Sequence, residues 1–318
     1  MPLDPFAKRF LERLAKLNPP SVLSLTVAER RKAFQDLLSF AGTPVPIGAV
    51  EELSLPGPAG PLRARLYSPV GASLASPAAS PSALPGLIYF HGGGLVAGTL
   101  DTHDAICRSL ANASGCRLIS VDYRLAPEHP FPAAVEDGCA AVRWIGTHAE
   151  PLHIDSHRLG ICGDSAGATL AAVVCHQVLA AGEMRLAMQF LLCPIMDFRA
   201  ETASRRSYSE GYLLDRATLE HDLRHYLGPD ADPTDPRISP LRALGLENLP
   251  PTCVHTAECD PLRDEGRAYA ERVEREGVQT LYRCHSGMIH LFYGMGGILP
   301  YATDAYRQMG ADIRSMLA

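Results

Sequence analysis

A serine between two glycines lies where the sequence changes from a strand pattern to a helix pattern. Within "RLGICGDSAGATLAAVVC", residues 158–175, the joint reads Gly163-Asp164-Ser165-Ala166-Gly167. Serine is a preferred N-cap residue, so one interpretation is a simple cap on the Ala-rich helix. The other is a nucleophile on a strained turn, which requires glycine two residues before and after because a Cβ there would clash. The rest of the chain decides between them.

A carboxylate and a histidine follow two later strand-like segments. Asp260 comes after "PTCVHTAEC", and His290 comes after "TLYRCH" and "SGMI". The carboxyl ends of parallel strands share one edge of a sheet, so Ser165, Asp260 and His290 are expected to lie together there. A histidine that takes the serine proton, oriented by an acid, makes the hydroxyl a nucleophile for acyl transfer. The order Ser, Asp, His along the chain is the one that α/β-hydrolases use.

Neighbouring groups compete for these roles. Glu258 still belongs to the strand pattern, and Asp264 lies in the first turn of a predicted helix, where an acid stabilises the helix dipole. His285 is the last residue of a strand pattern and is predicted to face the core or the surface. We therefore predict Asp260 as the acid and His290 as the base.

A second glycine-rich motif, His91-Gly92-Gly93-Gly94, directly follows the strand pattern "GLIYF". Three glycines leave backbone N–H groups open to a ligand, because no side chain blocks a close approach. Together with the N–H of Ala166, such donors would hold the oxyanion of a tetrahedral intermediate. A phosphate-binding turn or a plain flexible loop is the alternative, but neither GxGxxG nor a GK[ST] ending is present.

The composition argues against several classes of protein. A net charge of −6 offers no basic field for gathering phosphates, so no nucleic-acid partner is expected. No apolar run approaches the roughly 18 residues of a membrane span, and the N-terminus lacks the apolar core of a secretory signal, so no stable membrane insertion is expected. The nine cysteines are scattered without a CxxC pair, which indicates reduced thiols in the cytoplasm. His221 and His225 have metal-ligand spacing but no evident third ligand, and are predicted to be a surface pair.

From Gly86 onward, buried strand patterns alternate with helix patterns of about 10–15 residues. This rhythm predicts an α/β protein with a parallel sheet covered on both faces by helices. The first strand is placed at residues 61–67. The Ser/Pro/Ala-rich residues 68–85 are predicted to form a mobile surface loop.

Two segments do not follow this alternation of strands and helices. Residues 1–45 contain two predicted helices, the first amphipathic and basic, for which binding at a membrane surface is the alternative to packing on the protein. The segment between Cys193 and Pro251 is too long for a plain connection, so about residues 198–230 are predicted to be an inserted cap that the N-terminal helices join. Residues 46–318, with that insertion, are predicted to be the catalytic domain.

The motifs together resemble those of the hormone-sensitive-lipase-like carboxylesterases, the microbial family IV esterases. The matching stretches are "HGGG" at 91–94, "DYRLAPEHPFPAA" at 122–134, "GDSAG" at 163–167, "DPLRDEG" at 260–266 and "GMIH" at 287–290. The resemblance implies an α/β-hydrolase fold, with a mostly parallel central sheet, helices on both faces and a helical cap. In that family the cap is built from the N-terminus and an insertion after the sixth strand.

The resemblance also implies roles for single residues. It makes Ser165 the nucleophile, Asp260 the orienting acid and His290 the general base. It places the oxyanion amides on Gly93, Gly94 and Ala166, with support from His91, Gly92, Gly163, Asp164 and Gly167. No metal or organic cofactor is implied. Leu291 departs from the family, which commonly has Gly-Phe after this histidine, so we expect the bulkier residue to narrow or reshape the site.

The predicted function is hydrolysis of short- to medium-chain acyl esters through a serine acyl-enzyme, at a rate that rises with pH as His290 loses its proton. A non-catalytic ligand receptor on the same fold is an alternative, but all three catalytic residue types are present. Amide hydrolysis or deacetylation is a second alternative, because it would use the same catalytic residues. A long-chain lipase is a third, but it would require an apolar lid, whereas residues 199–227 are heavily charged. The partner is a small-molecule ester, and the resemblance leaves a homodimer open.

Overall fold

The computed structural model describes residues 2–72, 83–228 and 231–318. Its eight strands are β1 Ala49–Gly57, β2 Gly60–Ser68, β3 Leu84–Phe90, β4 Arg117–Val121, β5 Ile154–Asp164, β6 Gln189–Leu192, β7 Thr252–Cys259 and β8 Thr280–Ile289. Its α-helices are α1 Pro5–Leu17, α2 Val27–Leu38, α3 Asp104–Ser114, α4 Ala133–Thr147, α5 Ala166–Ala180, α6 Ala203–Ser207, α7 Arg216–Tyr226, α8 Arg263–Arg275 and α9 Tyr301–Met316.

All eight strands form one sheet in the order β1-β2-β4-β3-β5-β6-β7-β8. β2 runs antiparallel to β1 and β4, and every pair from β4 through β3 to β8 is parallel. The predicted α/β fold with a mostly parallel sheet is confirmed. Buried apolar runs such as "LIYF" in β3 and "FLL" in β6 are typical of strands that helices cover on both faces.

The register of the sheet brings the chemically interesting residues to one edge. Phe90 of β3 is paired with Gly163 of β5, so the two glycine-rich motifs leave the sheet side by side. On the other side of β6, Cys259 of β7 is paired with Ile289 of β8 after a register shift. Asp260 and His290, the next residue on each strand, therefore emerge next to each other.

The edge strand β1 was not identified in the sequence analysis, which placed the first strand at residues 61–67. Most side chains of β1 are exposed, and the strand contains Glu51, Glu52 and Pro56. An edge strand with one mostly exposed face needs few apolar side chains, here Leu53 and Leu55. Charge and proline at an edge discourage pairing with other chains. The apolar pattern that reveals the central strands is therefore weak in β1.

The two predicted N-terminal helices are present as α1 and α2. Asp4 caps α1 by accepting from the amides of Phe6 and Ala7, and Thr26 and Glu29 form the predicted capping box of α2. The apolar stripe of α1 packs on the protein only in part: Ala7 is buried and the ring of Phe10 meets that of Phe40 edge-on at 5.6 Å, whereas Phe6 and Leu17 are 44% and 77% exposed.

The segment between β6 and β7, called the insertion below, contains α6 and α7. Helix α7 contacts the 3₁₀ turn Val22–Ser24 of the N-terminal segment, residues 2–45. Residues 229–230 of the predicted cap and residues 73–82 of the predicted surface loop lie outside the described residues. Within the described ranges, no helix has the length and apolar character that crossing a bilayer requires.

Candidate active site

Ser165 lies on the sharp turn between β5 and α5 with φ 52° and ψ −125°, a left-handed conformation that is uncommon for a residue other than glycine. A Cβ on Gly163 would lie 2.4 Å from the carbonyl oxygen of Gly167, and a Cβ on Gly167 would lie 2.1 Å from that of Phe90. Both glycines are therefore required by backbone that cannot move aside. The Ser165 side chain makes no capping hydrogen bond, so the capping interpretation is wrong.

Three side chains from different strand ends meet at this turn. The Nε2 atom of His290 lies 3.0 Å from the Oγ of Ser165, and its Nδ1 lies 2.7 Å from Oδ2 of Asp260. The other oxygen of Asp260 accepts a 2.8 Å hydrogen bond from the amide of Leu262. Because the carboxylate faces Nδ1, the proton of a neutral imidazole resides there and Nε2 is free to accept from the serine.

The competing carboxylates and the second histidine point elsewhere. Glu258 accepts a 2.7 Å hydrogen bond from the amide of Gly287, and Asp264 accepts one of 2.7 Å from the amide of Ser204. Of the two positions predicted for His285, core or surface, it occupies the core, with Nε2 3.0 Å from the Nδ1 of His255. None of these three side chains reaches Ser165.

The glycine-rich turn after β3 forms one wall of a cavity of about 240 Å³ that also contains Ser165 and His290. Gly93 and Gly94 have φ of 119° and 69°, in the region that glycine tolerates best. A Cβ on Gly93 would lie 2.3 Å from the carbonyl oxygen of Ala97, and one on Gly94 would lie 1.9 Å from Oδ2 of Asp222. Side chains are thus excluded at both positions.

Comparison with known proteins identifies the family of this chain. A family model described as an alpha/beta hydrolase fold matches residues 87–294. The chain is 38% identical over 284 residues to an ethyl acetate hydrolase of Pseudomonas putida, covering 88% of this chain and 87% of that protein. It is 41% identical over 254 residues to the carboxylic ester hydrolase LipN of Mycobacterium tuberculosis, covering 77% of this chain and 65% of that protein. The solved structure of a hyperthermophilic esterase from the archaeon Pyrobaculum calidifontis matches with a TM-score of 0.91 and 38% identity, covering 100% of both chains.

The chain belongs to the hormone-sensitive-lipase-like carboxylesterases of the α/β-hydrolase fold.

Asp164 of this carboxylesterase connects the serine turn to the glycine-rich turn. Its Oδ1 accepts a 2.8 Å hydrogen bond from the amide of Gly92 and another from the Tyr89 hydroxyl, and its Oδ2 accepts one of 3.0 Å from the Tyr293 hydroxyl. Burial alone would raise the pKa of Asp164. The charge of His103 and the hydrogen bonds that the Asp164 carboxylate accepts lower that pKa below its usual value. Sequence reasoning assigned Asp164 only a supporting role and did not identify these partners.

His91 supports the same turn as a neutral group. Its ring stacks on that of Tyr123 with centroids 4.4 Å apart, and its Nδ1 lies 2.8 Å from the carbonyl oxygen of Gly92. Burial, with the nearby charge of His103, lowers the pKa of His91 to about 3. A neutral ring adds no charge to the glycine-rich turn.

The prediction that His221 and His225 form a surface pair is wrong for His221, which is buried. The two rings do lie together, with centroids 4.5 Å apart. However, the Nδ1 of His221 lies 3.0 Å from Oδ1 of Asp222, on the part of α7 that the N-terminal segment covers. Helical spacing alone did not reveal that this face of α7 has a neighbour.

One set of three potential metal ligands occurs among the described residues, formed by Cys193, Asp260 and His290 with ligand atoms within 4.8 Å of one another. Both nitrogens of His290 are already paired with Asp260 and Ser165. Burial raises the pKa of the Cys193 thiol well above its usual value, whereas metal binding requires the thiolate. These residues therefore suit acid–base chemistry and do not suit a metal.

Apolar side chains form much of the lining of the cavity beside Ser165. Leu291, the residue that departs from the family pattern, has φ 62° and lines the wall next to His290. Phe198 and Leu219 line this cavity and also a second one of about 460 Å³. The lining of the second cavity includes the charged residues Arg199, Glu201, Arg205, Arg216 and Glu220.

Proposed function

We propose that this carboxylesterase hydrolyses short- to medium-chain acyl esters through an acyl-enzyme formed on Ser165. The observation that carries the proposal is the position of His290, with one ring nitrogen 3.0 Å from the serine hydroxyl and the other 2.7 Å from Asp260. This arrangement supplies a nucleophile, a base and an orienting acid in one buried cluster.

In the first half of the reaction, the Oγ of Ser165 attacks the ester carbonyl carbon while His290 takes the hydroxyl proton on Nε2. Asp260 holds the Nδ1 proton and stabilises the imidazolium that forms. The tetrahedral intermediate then collapses, the bond to the alcohol oxygen breaks, and His290 returns the proton to the leaving alcohol. The acyl group remains bound to Ser165.

In the second half, a water molecule replaces the alcohol and follows the same path. His290 removes a proton from the water as its oxygen attacks the acyl carbon, and then returns that proton to the Ser165 oxygen. The carboxylic acid leaves, and the enzyme regains its starting state.

The negative oxygen of both intermediates is assigned to the amides of Gly93, Gly94 and Ala166. Gly93 and Gly94 line the cavity that contains Ser165, and their lack of side chains allows a substrate oxygen to approach the backbone. Fixed N–H donors at this position stabilise charge that develops only in the transition state, and losing one such donor costs about 10²–10³ in turnover.

The N-terminal segment and the insertion together act as the cap that limits substrate size. Pro19, Val22, Leu25, Leu214 and Leu219 from these two segments line the cavity opposite the strand ends. A cavity of about 240 Å³ supports short acyl chains better than long ones.

The ratio of kcat/KM for p-nitrophenyl butyrate to that for p-nitrophenyl laurate tests this proposal. We expect a ratio well above one, and we expect Ser165→Ala to abolish both hydrolysis and labelling by a fluorophosphonate. A ratio below one would show that the cap opens onto a long apolar channel. Full activity in the Ser165→Ala variant would disprove the assignment of the nucleophile.

The cytoplasm is the proposed location. All nine cysteines are free, and eight of them are buried, which supports a reducing compartment. Fractionation of the source cells, followed by activity measurement in each fraction, tests this; activity confined to the secreted fraction would contradict it.

A further inference from the structure

An ion pair joins the N-terminal segment to the insertion next to the glycine-rich turn. The Nη2 of Arg30 on α2 lies 2.7 Å from Oδ2 of Asp222 on α7, and its Nε lies 3.2 Å from Oδ1. The two side chains are only 9% and 7% exposed. Two parallel N–H···O bonds make this a bidentate, charge-assisted pair in a largely dry environment.

The carboxylate of this pair packs directly on Gly94. A Cβ on Gly94 would lie 1.9 Å from Oδ2 of Asp222 and 2.5 Å from its Cγ, so the carboxylate occupies the space that a side chain would need. Arg30, Asp222, Gly94 and Ser165 all line the same cavity. A formal negative charge therefore lies beside the amide assigned to the oxyanion.

Charge at this position has a consequence for the reaction. A negative group near the developing oxyanion repels it and so raises the energy of the transition state, and this repulsion is strong where water is excluded. The Arg30 guanidinium cancels most of this effect because it contacts both oxygens of Asp222. The Nδ1 of His221, 3.0 Å from Oδ1, is the other polar side-chain atom against this carboxylate among the described contacts.

Arg30 also contacts the neighbouring part of the turn through an aromatic ring. Its guanidinium carbon lies 5.4 Å from the ring centroid of Phe34, one turn further along α2. The Cε1 of Phe34 would lie 3.1 Å from a Cβ on Gly93. Arg30 thus contacts the two side chains that pack against the glycines assigned to the oxyanion. It binds Asp222, which packs on Gly94, and lies over the ring of Phe34, which packs on Gly93.

We propose that Arg30 is a positioning residue that keeps Asp222 charge-balanced against Gly94 and thereby keeps the oxyanion hole effective. This inference rests on the proposed function, since it requires Gly94 to bind the oxyanion. Loss of the guanidinium leaves an uncompensated carboxylate beside the transition-state charge, so it lowers kcat. Removing the Asp222 charge as well relieves that opposition.

The test compares Arg30→Gln, Asp222→Asn and the double variant on p-nitrophenyl butyrate. We expect Arg30→Gln to lower kcat by roughly 10- to 100-fold with a smaller change in KM. Asp222→Asn is expected to lose less, and the double variant to regain most of the kcat that Arg30→Gln lost. Arg283→Gln, which breaks an ion pair to Asp312 between two residues that do not line the cavity, is the matched control and should leave kcat unchanged.

If the Arg30–Asp222 ion pair only held the cap in place, the kcat values of the variants would follow a different pattern. Both single variants would then lose similar activity, and the double variant would recover none of it, which would overturn the proposal. If Arg30→Gln does not fold, as judged by circular dichroism, Arg30→Lys tests the proposal, because lysine keeps the positive charge beside Asp222 but not the bidentate contact. We then expect kcat to stay within about threefold of the unmodified value, and a loss of roughly tenfold or more would overturn the proposal. Absence of butyrate hydrolysis in the unmodified protein would instead disprove the proposed function.

Discussion

The Oδ1 atom of Asp164 accepts a hydrogen bond of 2.8 Å from the backbone amide of Gly92, which lies 72 residues earlier in the chain. Asp164 adjoins the proposed nucleophile, and Gly92 begins the run of glycines that includes the proposed oxyanion donors. One buried carboxylate thus sets the distance between the group that attacks and the groups that stabilise the resulting charge.

Replacing Asp164 by asparagine tests this connection. The amide keeps the volume but provides one acceptor oxygen where the carboxylate provides two, so we expect unfolding free energy to fall by about 1–3 kcal/mol. We also expect kcat to fall by roughly tenfold or more because the glycine turn shifts. Asp137→Asn is the control: Asp137 is equally buried but binds Arg124, so its loss should reduce stability and leave kcat intact. Equal kcat values for the two variants would contradict the proposed coupling.

Gly167→Ala should destabilise the protein strongly. The new Cβ would lie 2.1 Å from the carbonyl oxygen of Phe90 and 2.3 Å from that of His91, and both belong to backbone held in the sheet and its following turn. We expect a loss of about 3 kcal/mol in urea unfolding. In Gly146→Ala the nearest atom is the Sδ of Met184, a flexible side chain, and alanine favours helix α4, so its stability should be unchanged or higher. A stable Gly167→Ala variant would show that the turn is less tightly packed than described.

Asp260→Asn should reduce kcat by about 10⁴-fold while the fold is retained. The amide can donate to Nδ1 of His290, which then holds its proton on Nε2 and cannot accept the serine proton. Burst-phase kinetics with p-nitrophenyl butyrate would locate the loss in acylation. The neighbouring Asp264 binds Ser204 and Arg263, so Asp264→Asn should keep near-normal kcat. The reverse ranking would reassign the acid.

Leu219→Ala should lengthen the preferred acyl chain. Leu219 lies between the cavity at Ser165 and the second cavity of about 460 Å³, so truncation joins the two. We expect the butyrate-to-laurate ratio of kcat/KM to fall by roughly tenfold, because burying one or two additional methylenes of the substrate changes kcat/KM by about this factor. Leu223 lines the second cavity alone, and Leu223→Ala should leave the ratio as it is. An unchanged ratio in Leu219→Ala would place the acyl chain elsewhere.

Acid should destabilise the protein partly through Asp312 on α9. Burial opposes its ionisation, but hydrogen bonds from His255 and from Arg283 lower the pKa of Asp312 to about 2. Because this folded pKa lies below the unfolded value of about 4, its stabilising contribution is present above that value and is lost as pH falls toward 2. The difference in urea midpoint between the unmodified protein and Asp312→Asn should therefore shrink from pH 6 to pH 3. Asp304→Asn, an exposed acid on the same helix, should show a small difference at both pH values.

Much of the fold could be predicted because its signals are local. A buried parallel strand needs a continuous apolar run, a helix needs its own period and cap, and the strained serine turn needs glycine at fixed offsets. The positions of Ser165, Asp260 and His290 just after three such strands predicted their proximity, since parallel strands end at a common edge. Edge strand β1 lacked this signal because few of its side chains are buried.

The tertiary structure alone decided which distant groups meet. Arg30 and Asp222 lie 192 residues apart, and nothing in either neighbourhood indicates that α2 and α7 bury them together. The same holds for His221, which spacing placed at the surface, and for the tyrosines that donate to Asp164. Local sequence determines backbone conformation and the apolar face of each element, but the partner of a buried polar group depends on how whole elements pack, and that is settled by the summed burial of many side chains far apart in the chain.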